Sequence, residues 1–246
     1  MTWYSFFKLI GRGIGFAAAR TEVEGVENLP RKGGFFLIPN HQSVLDPILV
    51  QANCPRPVHS FTKSTQFSSP TFRWLLPRVN AIPARRYRVD PQVVRVALRL
   101  VERGEVVGIY PEGERSWDGS IQPLRRGTVR LLLKAGVPVV PCGVVGSYDV
   151  WPRWSKKPRR CRVRIRFGEP IDFGRHDTKQ DREMALEAAT RRLSEALQAL
   201  NDPDHPATAP IGGTRANPIG SVNPANPATA QNTTATPAHL GSQGVG

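Results

Sequence analysis

The chain is poor in cysteine. Its 246 residues hold three, Cys54, Cys142 and Cys161, an odd number with no CxxC spacing. That speaks against a disulfide framework and against a zinc site, and for lone buried thiols in a reducing compartment. Long apolar runs are also missing: none reaches the roughly 18 uninterrupted residues of a membrane span. The segment nearest to one, Trp3 to Ile10, is broken by Lys8 and followed by Arg12, with no clear cleavage site. The expectation is an interfacial anchor rather than a signal peptide or a transmembrane helix. Acid is scarce as well, with 20 Asp and Glu against 34 Lys and Arg. From Asn201 onward the only such residues are Asp202, Asp204 and Arg215, so with +14 on the whole chain, residues 1–200 carry a formal +15. A region that basic seeks a polyanion: a membrane surface, a nucleic acid or a phosphorylated substrate. No helix-turn-helix, zinc-finger or RNP-like aromatic pattern accompanies the charge, so nucleic acid is not expected as a partner.

What is present divides into three parts. Residues 1–19 read as an amphipathic membrane-interface helix, with Trp3, Phe7, Ile10 and Ile14 on one face and Lys8 and Arg12 opposite. The same pattern serves a helix packed on the domain's own core, and both readings stay open. Residues 20–200 alternate strands and helices. Strands are expected at 35–38, 58–61, 81–83, 106–109, 137–145 and 161–167. Helices are expected after residue 46, from Ser69-Pro70, from Asp90-Pro91 to about Arg103, over 127–135 and over 182–200. The fold class is therefore α/β: a single domain with a mixed, mostly parallel sheet flanked by helices. In 161–167 the strict alternation of Arg162, Arg164 and Arg166 with Val163, Ile165 and Phe167 predicts a half-buried strand. Residues 201–246, rich in Pro, Ala, Asn, Thr and Gly, read as a disordered low-complexity tail.

Of five histidines, His41 stands apart because it directly follows an apolar strand, in Asn40-His41-Gln42-Ser43-Val44-Leu45-Asp46. Ligands in open α/β sheets bind at the carboxyl ends of strands. Five residues do not align two side chains on one helix. With His41 in a loop and Asp46 in a first helical turn, the chain can bring them together as an imidazole base and its orienting carboxylate. Alone, the pair is equally an acid capping a helix beside an unrelated histidine. A second charged loop, Tyr110-Pro111-Glu112-Gly113-Glu114-Arg115-Ser116, leaves the strand 106–109 in the same way. Gly113 allows close backbone approach and Arg115 offers a planar fork for phosphate.

Four blocks together resemble the PlsC-type glycerolipid acyltransferases, which include the 1-acylglycerol-3-phosphate acyltransferases. Residues 40–46 are similar to that family's NHxxxxD block, and 81–86, Ala-Ile-Pro-Ala-Arg-Arg, to its second block. Residues 110–116 resemble FPEGTRS, and 137–143 the VPVxPxx block; the match spans about residues 20–170. Arg85 stands where Asp is usual and Glu114 where Thr is usual, and Arg85 is the expected offset to the added acid. The resemblance implies transfer of an acyl group from acyl-CoA or acyl carrier protein to the sn-2 hydroxyl of lysophosphatidate. His41 and Asp46 would be catalytic, and no cofactor or metal would be needed. Arg86 and Arg115 would hold phosphate, with Lys63 also in reach; Glu112 would anchor its loop or contact the glycerol; Pro141 would shape the acyl pocket. Other lysolipids or glycerol 3-phosphate are alternative acceptors, and a non-catalytic basic membrane- or nucleic-acid-binding protein is the rival class. Residues 153–166 hold eight cations and no acid behind Trp151 and Trp154. That composition suits an anionic phospholipid surface, and the expected location is the cytoplasmic face of the cell membrane.

Overall fold

The computed structural model describes residues 3–85 and 90–202. The expected tail, from residue 203, and Arg86 lie outside the described residues. The element order is α1 Trp3–Ala19, β1 Thr21–Glu24, β2 Phe35–Pro39, α2 Asp46–Asn53, β3 Val58–Lys63, α3 Pro70–Leu75, β4 Ala81–Ala84, α4 Pro91–Glu102, β5 Val106–Gly108, α5 Arg126–Ala135, β6 Val139–Val145, α6 Ser147–Val150, β7 Val163–Phe167 and α7 Lys179–Leu200. The strands form one sheet in the order β1-β7-β6-β2-β5-β3-β4. Every pairing is parallel except β6 with β7. This is the mixed, mostly parallel sheet that the alternation of elements predicts.

A parallel strand covered on both faces reads as an unbroken apolar run. β2 shows it, with all five residues buried. Phe35 and Leu37 join a core with Leu45, Leu49 and Val50 of the α2 side. Phe36 and Ile38 join the opposite core with Ala97, Val101, Leu132, Leu193 and Leu197 of α4, α5 and α7. Local signals set the helix ends. The Asp90 side chain accepts from Gln92 N at 3.0 Å and caps α4, and Gly136 closes α5 at φ +59°. Thr178 caps α7 by accepting from Asp181 N at 3.1 Å, so that helix starts at Lys179, before the expected Arg182.

Two expectations need correction. β7 is not half-buried: all five of its residues are buried. The unforeseen edge strand β1 pairs with it and places Glu22 beside Arg164 and Glu24 beside Arg166. The ion pairs are 3.4 Å from Arg164 to Glu22 and 3.2 Å from Arg166 to Glu24. These arginines are neutralised structural groups, not part of a basic surface.

The second concerns α1, which packs on the domain by its small and polar side. Gly11 lies against Ile48 and Ala52, and Gly15 against Leu49. Tyr4 Oη accepts from Val58 N at 2.9 Å, and Lys8 Nζ donates to Cys54 O at the end of α2. The apolar stripe faces outward, with Trp3, Leu9 and Phe16 exposed by 54%, 62% and 81%. Amphipathic spacing locates such a stripe without saying what covers it. Here the glycines, which permit close helix approach, mark the domain side.

Candidate active site

β2 and β5 are neighbours and parallel, so their carboxyl ends deliver the 40–46 and 110–116 loops to the same place. Asn40 fixes the exit from β2. Its amide replaces a strand partner for β6, donating to Val144 O at 3.1 Å and accepting from Val144 N at 2.6 Å. Three residues of the loop then fold around Asp46, the first residue of α2. Asp46 Oδ2 lies 2.9 Å from His41 Nδ1 and accepts from Gln42 N and Ser43 N, both at 2.7 Å. Asp46 is fully buried. An oxygen that already accepts two backbone N–H groups is an acceptor toward the imidazole too. Nδ1 therefore carries the proton and Nε2 keeps its lone pair. Tyr110 stacks on the ring, with centroids 4.2 Å apart and planes tilted by 34°. Burial, aided by the nearby Asp46 charge, raises the Tyr110 phenol well above its usual range, so it stays neutral.

Glu112 ties the two loops together. Oε1 accepts from His41 N at 2.8 Å and Oε2 from Gln122 N at 3.0 Å, while Ser116 N donates to His41 O at 2.7 Å. Glu112 thus anchors the loop, one of the two roles foreseen for it. Burial pushes its pKa up to about 7, against the two backbone donors that lower it. Because the folded-state value is raised, the protonated form favours the fold, and that stability is lost as pH climbs from about 4.5 through about 7. The non-titrating variant Glu112→Gln is expected to narrow the difference. Chemical denaturation from pH 5 to pH 8.5 should show wild type losing up to roughly 3 kcal/mol relative to the variant. Parallel pH profiles would contradict this origin of the shift.

Gly113 has φ +76°, and the Arg125 side chain crosses where its Cβ would stand while donating to Glu112 O at 3.0 Å. A side chain at Gly113 would both strain the backbone and displace that arginine. Arg115 sits in the same loop, and its carbonyl accepts from Arg153 Nη1 at 2.9 Å. Arg153 also lies 3.5 Å from Glu114 and stacks 3.5 Å above the Trp117 ring. The offset to Glu114 is therefore Arg153, not Arg85, which is exposed. Lys63, exposed at the end of β3, points from the same edge of the sheet. Pro141 lies within β6, paired with Ile38 and with its ring against Gly168, so it belongs to the sheet rather than to either loop. Among the described residues no group of three or more His, Cys, Asp or Glu could hold a metal ion.

The sequence reading missed Asn40, Tyr110, Arg125 and Arg153. Tyr110 lay inside a motif already singled out. Arg153 was hidden in a run of cations that offered no reason to separate it from the rest.

A family model described as Acyltransferase matches residues 20–145, just over half of the chain and both site loops. The chain belongs to the acyltransferase family. Among its relatives is a 1-acyl-sn-glycerol-3-phosphate acyltransferase of Brassica napus, designated BAT2, chloroplastic. It is 31% identical over 186 residues, which cover 74% of this chain and 52% of the relative. The 1-acyl-sn-glycerol-3-phosphate acyltransferase of Bacillus subtilis is 27% identical over 73% of this chain and 89% of its own length. Against the Brassica relative and a chloroplastic one from Arabidopsis thaliana, this acyltransferase-family chain spans about half the length. Its fold is that of the Thermotoga maritima 1-acyl-sn-glycerophosphate (LPA) acyltransferase, PlsC. The TM-score is 0.61 at 23% identity, covering 78% of this chain and 79% of that one.

Proposed function

We propose that the chain transfers an acyl group from a thioester, acyl-CoA or acyl carrier protein, to the sn-2 hydroxyl of lysophosphatidate, giving phosphatidate. The observation that carries the mechanism is the His41 Nδ1–Asp46 Oδ2 contact at 2.9 Å, which leaves Nε2 as the base. His41 Nε2 takes the hydroxyl proton as that oxygen attacks the thioester carbonyl. The tetrahedral intermediate collapses with cleavage of the C–S bond. The departing thiolate takes the proton back from the imidazolium, which Asp46 stabilises meanwhile. A thioester is already activated, so no acyl-enzyme is required. Arg115, Lys63 and Arg86 are the cations proposed to meet the acceptor phosphate. The names of the relatives favour lysophosphatidate over other acceptors. The test is the purified chain with lysophosphatidate, other lysolipids and glycerol 3-phosphate, each with both donors. Lysophosphatidate should give the highest kcat/KM; preference for another acceptor would overturn the assignment.

The proposed partner surface is a phospholipid membrane, at the cytoplasmic leaflet with its anionic lipid. α1 turns its apolar stripe outward, and α3 adds the exposed Phe72 and Trp74, with Trp74 edge-on to Trp3 at 5.6 Å. Exposed Val44 and Ile48 flank the His41–Asp46 loop. Of the eight cations in 153–166, Lys156, Lys157, Arg159, Arg160 and Arg162 are exposed and remain for lipid phosphates. No described helix is long and apolar enough to cross a membrane. Replacing Trp3 and Trp74 together by Ser is expected to weaken partitioning onto anionic vesicles roughly 10- to 100-fold. Co-flotation checks it, and unchanged flotation would remove these aromatics from the docking surface.

A further inference from the structure

Glu114 places a carboxylate in the loop that would receive an acceptor phosphate, which works against binding an anion unless something neutralises it. Arg153 does so from a different part of the chain, the segment after α6. Its Nη1 serves both the Arg115 carbonyl at 2.9 Å and Glu114 at 3.5 Å, and Trp117 covers one face of the guanidinium at 3.5 Å. Its position is itself fixed: Tyr148 Oη donates to Trp117 O at 2.8 Å, and Trp154 Nε1 donates to Tyr148 Oη at 3.1 Å. The side chain is 19% exposed, and no hydrogen bond among the described residues uses its Nε or Nη2. A guanidinium held flat on an indole, with donors left over and an edge open to solvent, is suited to a phosphate oxygen.

We propose that Arg153 is a specificity-determining residue for the acceptor headgroup. It cancels the Glu114 charge and presents its remaining donors to a phosphomonoester. This rests on the acyltransferase reading above. The Glu114–Arg153 pair acts as one unit: with Arg153 gone, an unpaired carboxylate faces the incoming dianion and repels it. Removing that carboxylate as well restores part of the affinity. A phosphodiester acceptor, with one negative charge fewer, is less affected at both steps.

The experiment compares kcat and KM of the purified full chain and of Arg153→Ala, Glu114→Gln and the double variant. The acceptors are lysophosphatidate and a lysolipid with a phosphodiester headgroup. Arg153→Ala should raise the KM for lysophosphatidate by about 10-fold or more with kcat changed less than about twofold, the split expected when ground-state binding is lost. The double variant should recover most of that loss, and the phosphodiester acceptor should change by no more than about threefold. Arg153→Gln, which keeps a donor for the Arg115 carbonyl and a flat group on Trp117, serves if the alanine variant unfolds, and should show the same KM rise. An unchanged KM in Arg153→Gln, or a double variant no better than Arg153→Ala, would overturn the proposal while leaving the acyltransferase reading intact. Absence of acyl transfer to any lysolipid by the unaltered chain would overturn both.

Discussion

Replacing His41 by Ala is expected to lower kcat/KM for acyl transfer by about 10²- to 10⁴-fold, the usual contribution of a positioned general base. The fold should survive. His41 is held by its backbone, through Glu112 Oε1 on its N–H and Ser116 N on its carbonyl, and neither bond needs the imidazole. Only the Asp46 contact and the Tyr110 stack are lost. Circular dichroism and a thermal melt of the variant separate lost chemistry from lost structure. A folded variant with wild-type kcat/KM would remove His41 from the mechanism.

The second large effect falls on Asp46, where two substitutions are expected to part ways. Asp46→Ala leaves Gln42 N and Ser43 N buried without an acceptor, in addition to freeing the imidazole. Each orphaned donor costs about 1–3 kcal/mol, so urea denaturation should show a loss of roughly 3–5 kcal/mol along with activity. Asp46→Asn keeps one carbonyl oxygen for the same donors and can turn its amide toward the Oδ1 side, which has no partner. Its stability loss should be smaller, yet the charge that stabilises the imidazolium is gone. Activity should still fall about 10²-fold or more. Equal stability losses for the two variants would mean that the backbone bonds to Asp46 do not hold the loop.

The sequence made parts of this site legible because the deciding interactions are local. His41 and Asp46 are five residues apart, and a loop running into a first helical turn is enough to join them. The apolar run at 35–38 and the capping pair Asp90-Pro91 likewise announce β2 and α4 from their own residues. What stayed hidden depends on distant chain. β1 is four residues of alternating acid, recognisable as a strand only once Arg164 and Arg166 stand opposite Glu22 and Glu24. Those arginines read as surface charge until a partner 142 residues away buries them. The outward face of α1 followed the same logic: the periodicity was plain, but which side meets the domain was settled by Gly11 and Gly15 against α2. Arg153 reaches Arg115 across 38 residues, so no spacing rule could single it out.

The central claim is direct transfer from thioester to hydroxyl at the His41–Asp46 pair. The most direct measurement follows free thiol and phosphatidate together, using the purified chain, a labelled acyl thioester and lysophosphatidate. The account predicts one thiol released per phosphatidate formed, with no thiol release and no label on the protein when lysophosphatidate is left out. Label transferred to the protein, or thiol released without acceptor at a comparable rate, would contradict it.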